Sequence, residues 1–198
     1  MPKDTLSDVS DDTLLVLYAN GDAEAARTLT LRLVPRALSY SGRLLGDRAE
    51  AEDVVQEAML RLWRMAPDWR PGDAQVSTWL YRVVSNLCLD RKRAQKRRPT
   101  ATLDDAPDLA ALGPGVEARM MQDQRMAALT AALAELPDRQ RQAVVLRHIE
   151  GLANPEIAAI LEIGVEAVES LTARGKRALT AALSGQQAAL GYSGEAED

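Results

Sequence analysis

The sequence predicts an all-α chain of two small helical domains joined by a flexible linker, the C-terminal one a helix-turn-helix. Three observations carry this. Phe is absent and aromatic residues make up only 4% of the 198 residues, so Leu, Ala, Val and Met must fill the core, and Ala, Leu and Met are good helix formers. Cap and stop residues recur at helical spacing. One internal stretch concentrates Pro and Gly at 107 and 113–115, as a linker does.

Taken in order, Asp11 to Asn20 reads as a short helix ended by Gly21. A second runs from Asp22 to about Leu45, stopped by Gly46, with Pro35 marking a kink or a break. A third spans Asp47 to about Met65. Ser77 is placed as the N-cap of a long helix that continues until Pro99. Residues 99–116 form the linker. Glu117 to Leu133 is again helical, and Pro137 suits the first turn of a helix running to Glu150, where Gly151 ends it. Asn154 caps a short helix with Pro155 at its first position, Gly164 breaks the chain, and a last helix reaches about Leu183. The domains are therefore expected at 1–98 and 117–184, followed by a flexible tail, 185–198.

Charge is unevenly placed. Residues 1–60 carry a net −5, residues 61–98 a net +7 and residues 99–198 a net −7, for −5 overall. The positive block ends in "LDRKRAQKRR" (Leu89–Arg98), so a polyanion can meet one surface of a chain that otherwise repels it. On a helical wheel Leu80, Val83, Val84 and Leu87 form a core stripe, whereas Arg82, Asn86, Arg93 and Arg97 share a sector of roughly 60°. Arg and Asn there can reach phosphates and base edges. Trp69, Trp79 and Tyr81 add flat rings that suit unstacked bases. Trp69, beside Arg70 in a loop, is the better base contact, while Trp79 is read as core.

Two further faces stand out. In "AEDVVQEAMLRLWR" (Ala51–Arg64), Val55, Ala58, Met59 and Leu62 point inward, while Asp53, Gln56, Glu57 and Leu60 share an outer sector. An exposed Leu among acids and an amide is what a docking site for another protein needs. "ANPEIAAILEIGVEAVESLTARGKRAL" (Ala153–Leu179) fits a helix-turn-helix, with Ile157, Leu161, Ile163 and Val168 apolar and the small Ala158 at the helix crossing. Arg174, Lys176 and Arg177 suit phosphates better than bases.

Other chemistries lack their residues. The single Cys88 cannot form an internal disulfide, and with only His148 beside it a Cys/His zinc cage is out of reach. His148 is assigned to its helix end or to solvent, and no phosphate-cradling Gly loop or spaced metal-ligand set is present. No cofactor and no catalytic residue is expected. No apolar run of ~20 residues exists, so no membrane insertion is expected. The acidic start "MPKDTLSDVSDD" lacks a signal-peptide core, which points to the cytoplasm.

Together, "GDRAEAEDVVQEAMLRLWR", "VSTWLYRVVSNLCLDRKR" and "LPDRQRQAVVLRHIEGLANPEIAAIL", in that order and spacing, resemble the extracytoplasmic-function (ECF) class of bacterial sigma factors from about Asp11 to Leu183. The resemblance implies a non-enzymatic subunit that binds core RNA polymerase and promoter DNA and helps open the DNA for a stress-type regulon. It assigns Asp53, Gln56, Glu57 and Leu60 to core polymerase, and Trp69, Arg70, Ser77, Arg82, Asn86, Arg91 and Arg93 to the minus-ten element. The minus-thirty-five element falls to Ser170, Thr172, Arg174, Lys176 and Arg177. The acidic linker, with Asp104, Asp105 and Asp108, would thread through the polymerase, and an anti-sigma factor would hold the protein inactive. Family recognition helices usually begin Thr-Val-Lys-Ser-Arg. Here "AVESL" (Ala167–Leu171) stands instead, and the usual Gly of the turn is Glu162. A free-standing helix-turn-helix regulator is the alternative, although it leaves the faces of the first domain unexplained.

Overall fold

A computed structural model describes residues 6–72, 74–97 and 116–184, with side chains described from 124 onward in the last segment; the linker and tail expected above lie outside these residues. The described chain is helical, in the order α1 Asp11–Ala19, α2 Ala23–Leu45, α3 Arg48–Met65, a 3-10 turn Ala66–Asp68, α4 Val76–Arg97, α5 Val116–Glu135, α6 Asp138–Val144, a π turn Val145–Ile149, α7 Asn154–Leu161 and α8 Val165–Ser184. Local chemistry sets most of these ends. Ser10 accepts from the Thr13 N–H, Asp22 from the Glu24 and Ala25 N–H groups, and Asp47 from the Glu50 N–H, each satisfying donors that a helix start leaves free. Gly46 closes α2 at φ 74, a left-handed value that glycine takes without strain. α2 passes through Pro35 unbroken; the carbonyl that proline leaves unpaired belongs to the turn of Leu31, which is 62% exposed and open to water.

Three boundaries differ from expectation. Ser77 is the second residue of α4 and does not cap it: the helix starts at Val76, whose N–H donates across the fold to Asp12 Oδ1 at 3.2 Å. α7 is capped at Ala153 rather than Asn154, because the Glu156 carboxylate reaches back to accept the Ala153 N–H at 2.8 Å. Pro137 likewise sits at the N-cap of α6, just outside the first turn.

Helices α1–α4 wrap a core of Leu, Val and Ala around Tyr40, whose hydroxyl shares a 2.7 Å hydrogen bond with Ser85. The inward stripe of α3, Val55, Ala58, Met59 and Leu62, is buried as expected. On α4 the buried set is wider than the expected stripe, taking in Val76, Tyr81, Ser85, Cys88 and Leu89 while Val83 is only half-buried. The reason is a second covering layer: α6 and α7 of the C-terminal half lie against α2 and α4. Within that half Ala158 is half-buried against the core, and Gly175 of α8 meets α6 closely. A β-carbon at 175 would stand 2.5 Å from Val144 Cγ2.

Candidate functional site

Three surfaces bear the expected residues. The first is a groove of about 350 Å³ between α2 and α3, with Val34, Leu38, Val55, Met59, Leu60 and Trp63 in its walls. Gln56 also lines it, and Leu60 is 48% exposed at its edge. Asp53 stands exposed alongside, and Glu57 pairs with Arg61 at 2.5 Å one turn on. Of the four residues assigned to docking, Gln56 and Leu60 line the groove while Asp53 and Glu57 lie outside it, and the groove adds a wall that sequence reasoning missed. That wall is Thr30, Val34 and Leu38 of α2, spaced four apart, a helical stripe that periodicity alone could have raised.

The second surface is the outer side of α4. Arg70, Asn86, Arg93 and Arg97 are exposed. Arg93 pairs with Asp90 at 3.4 Å, and the other expected residues are held by the protein itself. Arg91 pairs with Glu50 at 2.5 Å and with Asp53 at 3.6 Å, and the Glu50 hydrogen bond together with these carboxylates raises its pKa. Arg82 pairs with Glu162 at 3.7 Å. Ser77 is half-buried beside Arg36 and Leu80. Trp69 is half-buried against the core, its indole N–H without an acceptor among the described residues. Trp79 is packed against the core as expected. Tyr81 is buried, edge-on to Tyr40 at 5.2 Å, and burial followed by its hydrogen bond to Glu150 raises its pKa.

The third surface is the helix-turn-helix. α7 and α8 meet around buried Ile157, Leu161 and Val168, and the turn places Glu162 at φ 55. Gly164 precedes α8 without a left-handed backbone, so the special conformation of the turn belongs to Glu162. Ser170, Arg174, Lys176 and Arg177 are exposed along α8, whereas the Thr172 hydroxyl is turned inward and buried. Glu169, near the start of α8, accepts from Asn154 Nδ2 at 3.4 Å. His148 is exposed on the π turn. Desolvation, then Lys176, then Arg147 lower its pKa, which places it in a cationic neighbourhood beside α8. Cys88 is buried, and desolvation pushes its thiol up to about 12, so it is inert in the folded protein. Among the described residues no group of His, Cys, Asp and Glu is placed to hold a metal ion.

Residues 29–98 match the family described as Sigma-70 region 2, and residues 126–179 match Sigma-70, region 4. The chain is 37% identical over 171 residues to the ECF RNA polymerase sigma factor SigM of Mycobacterium tuberculosis, covering 86% of this chain and 83% of that one. This protein is an ECF RNA polymerase sigma factor. It is also 32% identical over 186 residues to the RNA polymerase sigma-H factor of Pseudomonas aeruginosa, covering 90% and 96% of the two chains. The ECF sigma-E factor of Escherichia coli K12 is 30% identical over 179 residues, covering 86% and 93%. Among solved structures, that of CnrH in complex with the cytosolic domain of CnrY is similar with a TM-score of 0.66 and 27% identity, over 88% of this chain and 97% of that one. The sigma factor RpoE bound to the anti-sigma factor NepR from Bartonella quintana shares the fold, with a TM-score of 0.65 at 18% identity over 82% and 98%. The region 2 match contains the groove and α4, and the region 4 match contains the helix-turn-helix.

Proposed function

We propose that this sigma factor docks on core RNA polymerase through the α2–α3 groove and the Asp53, Gln56, Glu57 and Leu60 face. It then holds the opened minus-ten element on the outer side of α4 and reads the minus-thirty-five element with α8. The single observation that carries this is the pairing of unlike surfaces on one unit. An apolar groove with Glu52 and Gln56 in its lining lies on α2 and α3, and a cationic face lies on α4 of the same four-helix core. The first suits a protein and the second suits phosphates. In this reading residues 1–98 serve the polymerase and the minus-ten element, 117–184 serve the minus-thirty-five element, and 99–116 connect them. The protein supplies binding energy, with no bond-making step of its own, and works in the cytoplasm; no helix of the described residues is long and apolar enough to cross a membrane. An anti-sigma factor, as in the complex of RpoE with NepR, covers these faces until a stress signal releases them.

Reconstituted transcription tests the assignment. With core polymerase and a genomic promoter library, the wild-type chain yields specific transcripts, and replacing Asp53 and Gln56 by Ala abolishes them with helicity intact. Full transcription by that variant removes the docking face. Binding of duplex promoter by the protein alone, with no need for polymerase, returns the free-standing regulator.

A further inference from the structure

Asp12 lies outside all three surfaces, yet it touches the start of the helix that carries the minus-ten candidates. It is half-buried in the first turn of α1, and its Oδ1 accepts the Val76 N–H at 3.2 Å. The first N–H groups of a helix have no partner within it, and Val76 is 0% exposed, so water is a poor substitute for that acceptor. A carboxylate there also meets the positive end of the α4 dipole. Val76 ends the short loop that follows Trp69, in which Arg70 is exposed and Gly72 takes a left-handed φ of 102. The other end of the loop is held by the Trp69 N–H on the Ala66 carbonyl at 3.2 Å and by the Trp69 ring against the core. Asp12 fastens the end from which α4 starts.

We propose that Asp12 is a positioning residue for the minus-ten element. It touches no DNA, but its cap on Val76 holds the loop after Trp69 and the first turn of α4 in the shape that presents Arg70 and Ser77 to the opened strand. This inference rests on the proposed role of α4. α1 suits the task because it is itself anchored. Arg32 of α2 donates to the carbonyls of Leu6 at 2.8 Å, Ser7 at 2.5 Å and Val9 at 2.7 Å and to Asp11 Oδ1 at 3.0 Å, fastening the segment that leads into α1. Leu14 and Leu15 are buried in the core, and Tyr18 packs on Trp63 of α3 with ring centroids 4.6 Å apart. Removing the one carboxylate therefore frees the loop end and leaves α1 in place. A loop that holds its binding shape in only a fraction of molecules binds its ligand more weakly by that fraction. The groove assigned to polymerase is walled by α2 and α3, not by α1, so docking is separable from positioning.

Two measurements on four forms of the full chain test this: wild type, Asp12→Ala, Asp12→Asn and Ser10→Ala. The first is amide hydrogen exchange across the loop and the first turn of α4. The second is the affinity of the holoenzyme, formed with core polymerase, for a labelled non-template strand. That strand spans the minus-ten element of a promoter that the wild-type holoenzyme transcribes. Asp12→Ala is expected to speed exchange and to weaken strand binding, each by about three- to tenfold, the worth of one helix cap. Its affinity for core polymerase should stay within about twofold of wild type, as for a distant, independent site. Asp12→Asn keeps the Oδ1 acceptor and is expected within about twofold of wild type in both readouts. Ser10→Ala removes the cap of α1 itself, so it lowers the thermal midpoint but moves neither readout. Unchanged exchange in Asp12→Ala overturns the cap, and unchanged strand affinity overturns the positioning. An equal loss of strand affinity in Ser10→Ala overturns it too, since general loosening would then suffice. If Arg70→Ala with Arg93→Ala binds the strand as tightly as wild type, the minus-ten role of α4 falls instead, whatever the exchange shows, so the two failures are distinct.

Discussion

The interior of each half and the seam between the halves share one apolar core but differ in the polar contacts added to it. Inside the halves, contacts are apolar or fully buried: Leu14, Leu29, Tyr40, Val54 and Leu62 in the N-terminal core, Leu133, Val145, Leu146, Ile157 and Val168 in the C-terminal one. At the seam, carboxylates face cations and a phenol. Apolar burial is indifferent to salt and works over the whole buried area, whereas partly exposed ion pairs are individually weak and screened. The seam thus adds screened polar contacts to a shared apolar core, and it runs along α4, the helix with the most candidate site residues.

Arg141 probes this contrast most severely, because it is a buried cation at the boundary. Its guanidinium donates to four carbonyls, those of Leu133, Ala134 and Leu136 at the end of α5 and Leu44 at the end of α2, and burial lowers its pKa. Two helix C-termini supply the negative field that a carboxylate partner would otherwise provide. Arg141→Ala leaves those acceptors unpaired and is expected to cost about 3 kcal/mol or more in urea unfolding, with little response to salt. Gly175→Ala follows. The added methyl collides with Val144, and about 1–3 kcal/mol of stability should be lost from the C-terminal half alone. Tyr40→Phe removes one buried hydrogen bond with Ser85 and should cost about 1 kcal/mol, again independent of salt.

Seam changes should be smaller and behave differently. Asp138→Asn is expected to cost at most about 1 kcal/mol, and the gap from wild type should close as salt is raised. A gap of the same size at high salt would mean that the seam is held as the interiors are. The smallest effect concerns His148. Its folded pKa lies below the ordinary 6.5, so the unfolded chain binds a proton more readily. The neutral ring carries no penalty above pH 6.5, and stability is lost as the pH falls through that value toward the folded pKa. Thermal midpoints of wild type and His148→Gln should therefore agree near about pH 7.5 and separate near about pH 5.5, with the variant higher.

How much of this was legible beforehand follows the range of the interaction. Asp22, Asp47 and Gly46 act on their own turns, so the limits of α2 and α3 could be read directly. The face of Asp53, Gln56, Glu57 and Leu60 follows from one helical period. What escaped was set at a distance. The start of α4 depends on Asp12, 64 residues away, and the far wall of the groove comes from α2. Arg91 and Arg82 looked free because a charge count cannot reveal that Glu50 and Glu162 come to meet them. The turn was read in part: the resemblance put Glu162 where the family has glycine, but only the backbone shows that Glu162 keeps the left-handed conformation while Gly164 does not take it over.

Every role proposed for this protein depends on the α2–α3 groove being the seat of core polymerase. Leu60 projects from its rim and takes little part in the core, so Leu60→Arg should leave the thermal midpoint unchanged. Labelled full-length protein titrated with purified core polymerase then gives the binding constant of each form. Leu60→Arg is expected to weaken association at least about tenfold, as for a central apolar anchor replaced by a charge. Association as tight as that of the wild type would mean that polymerase docks elsewhere.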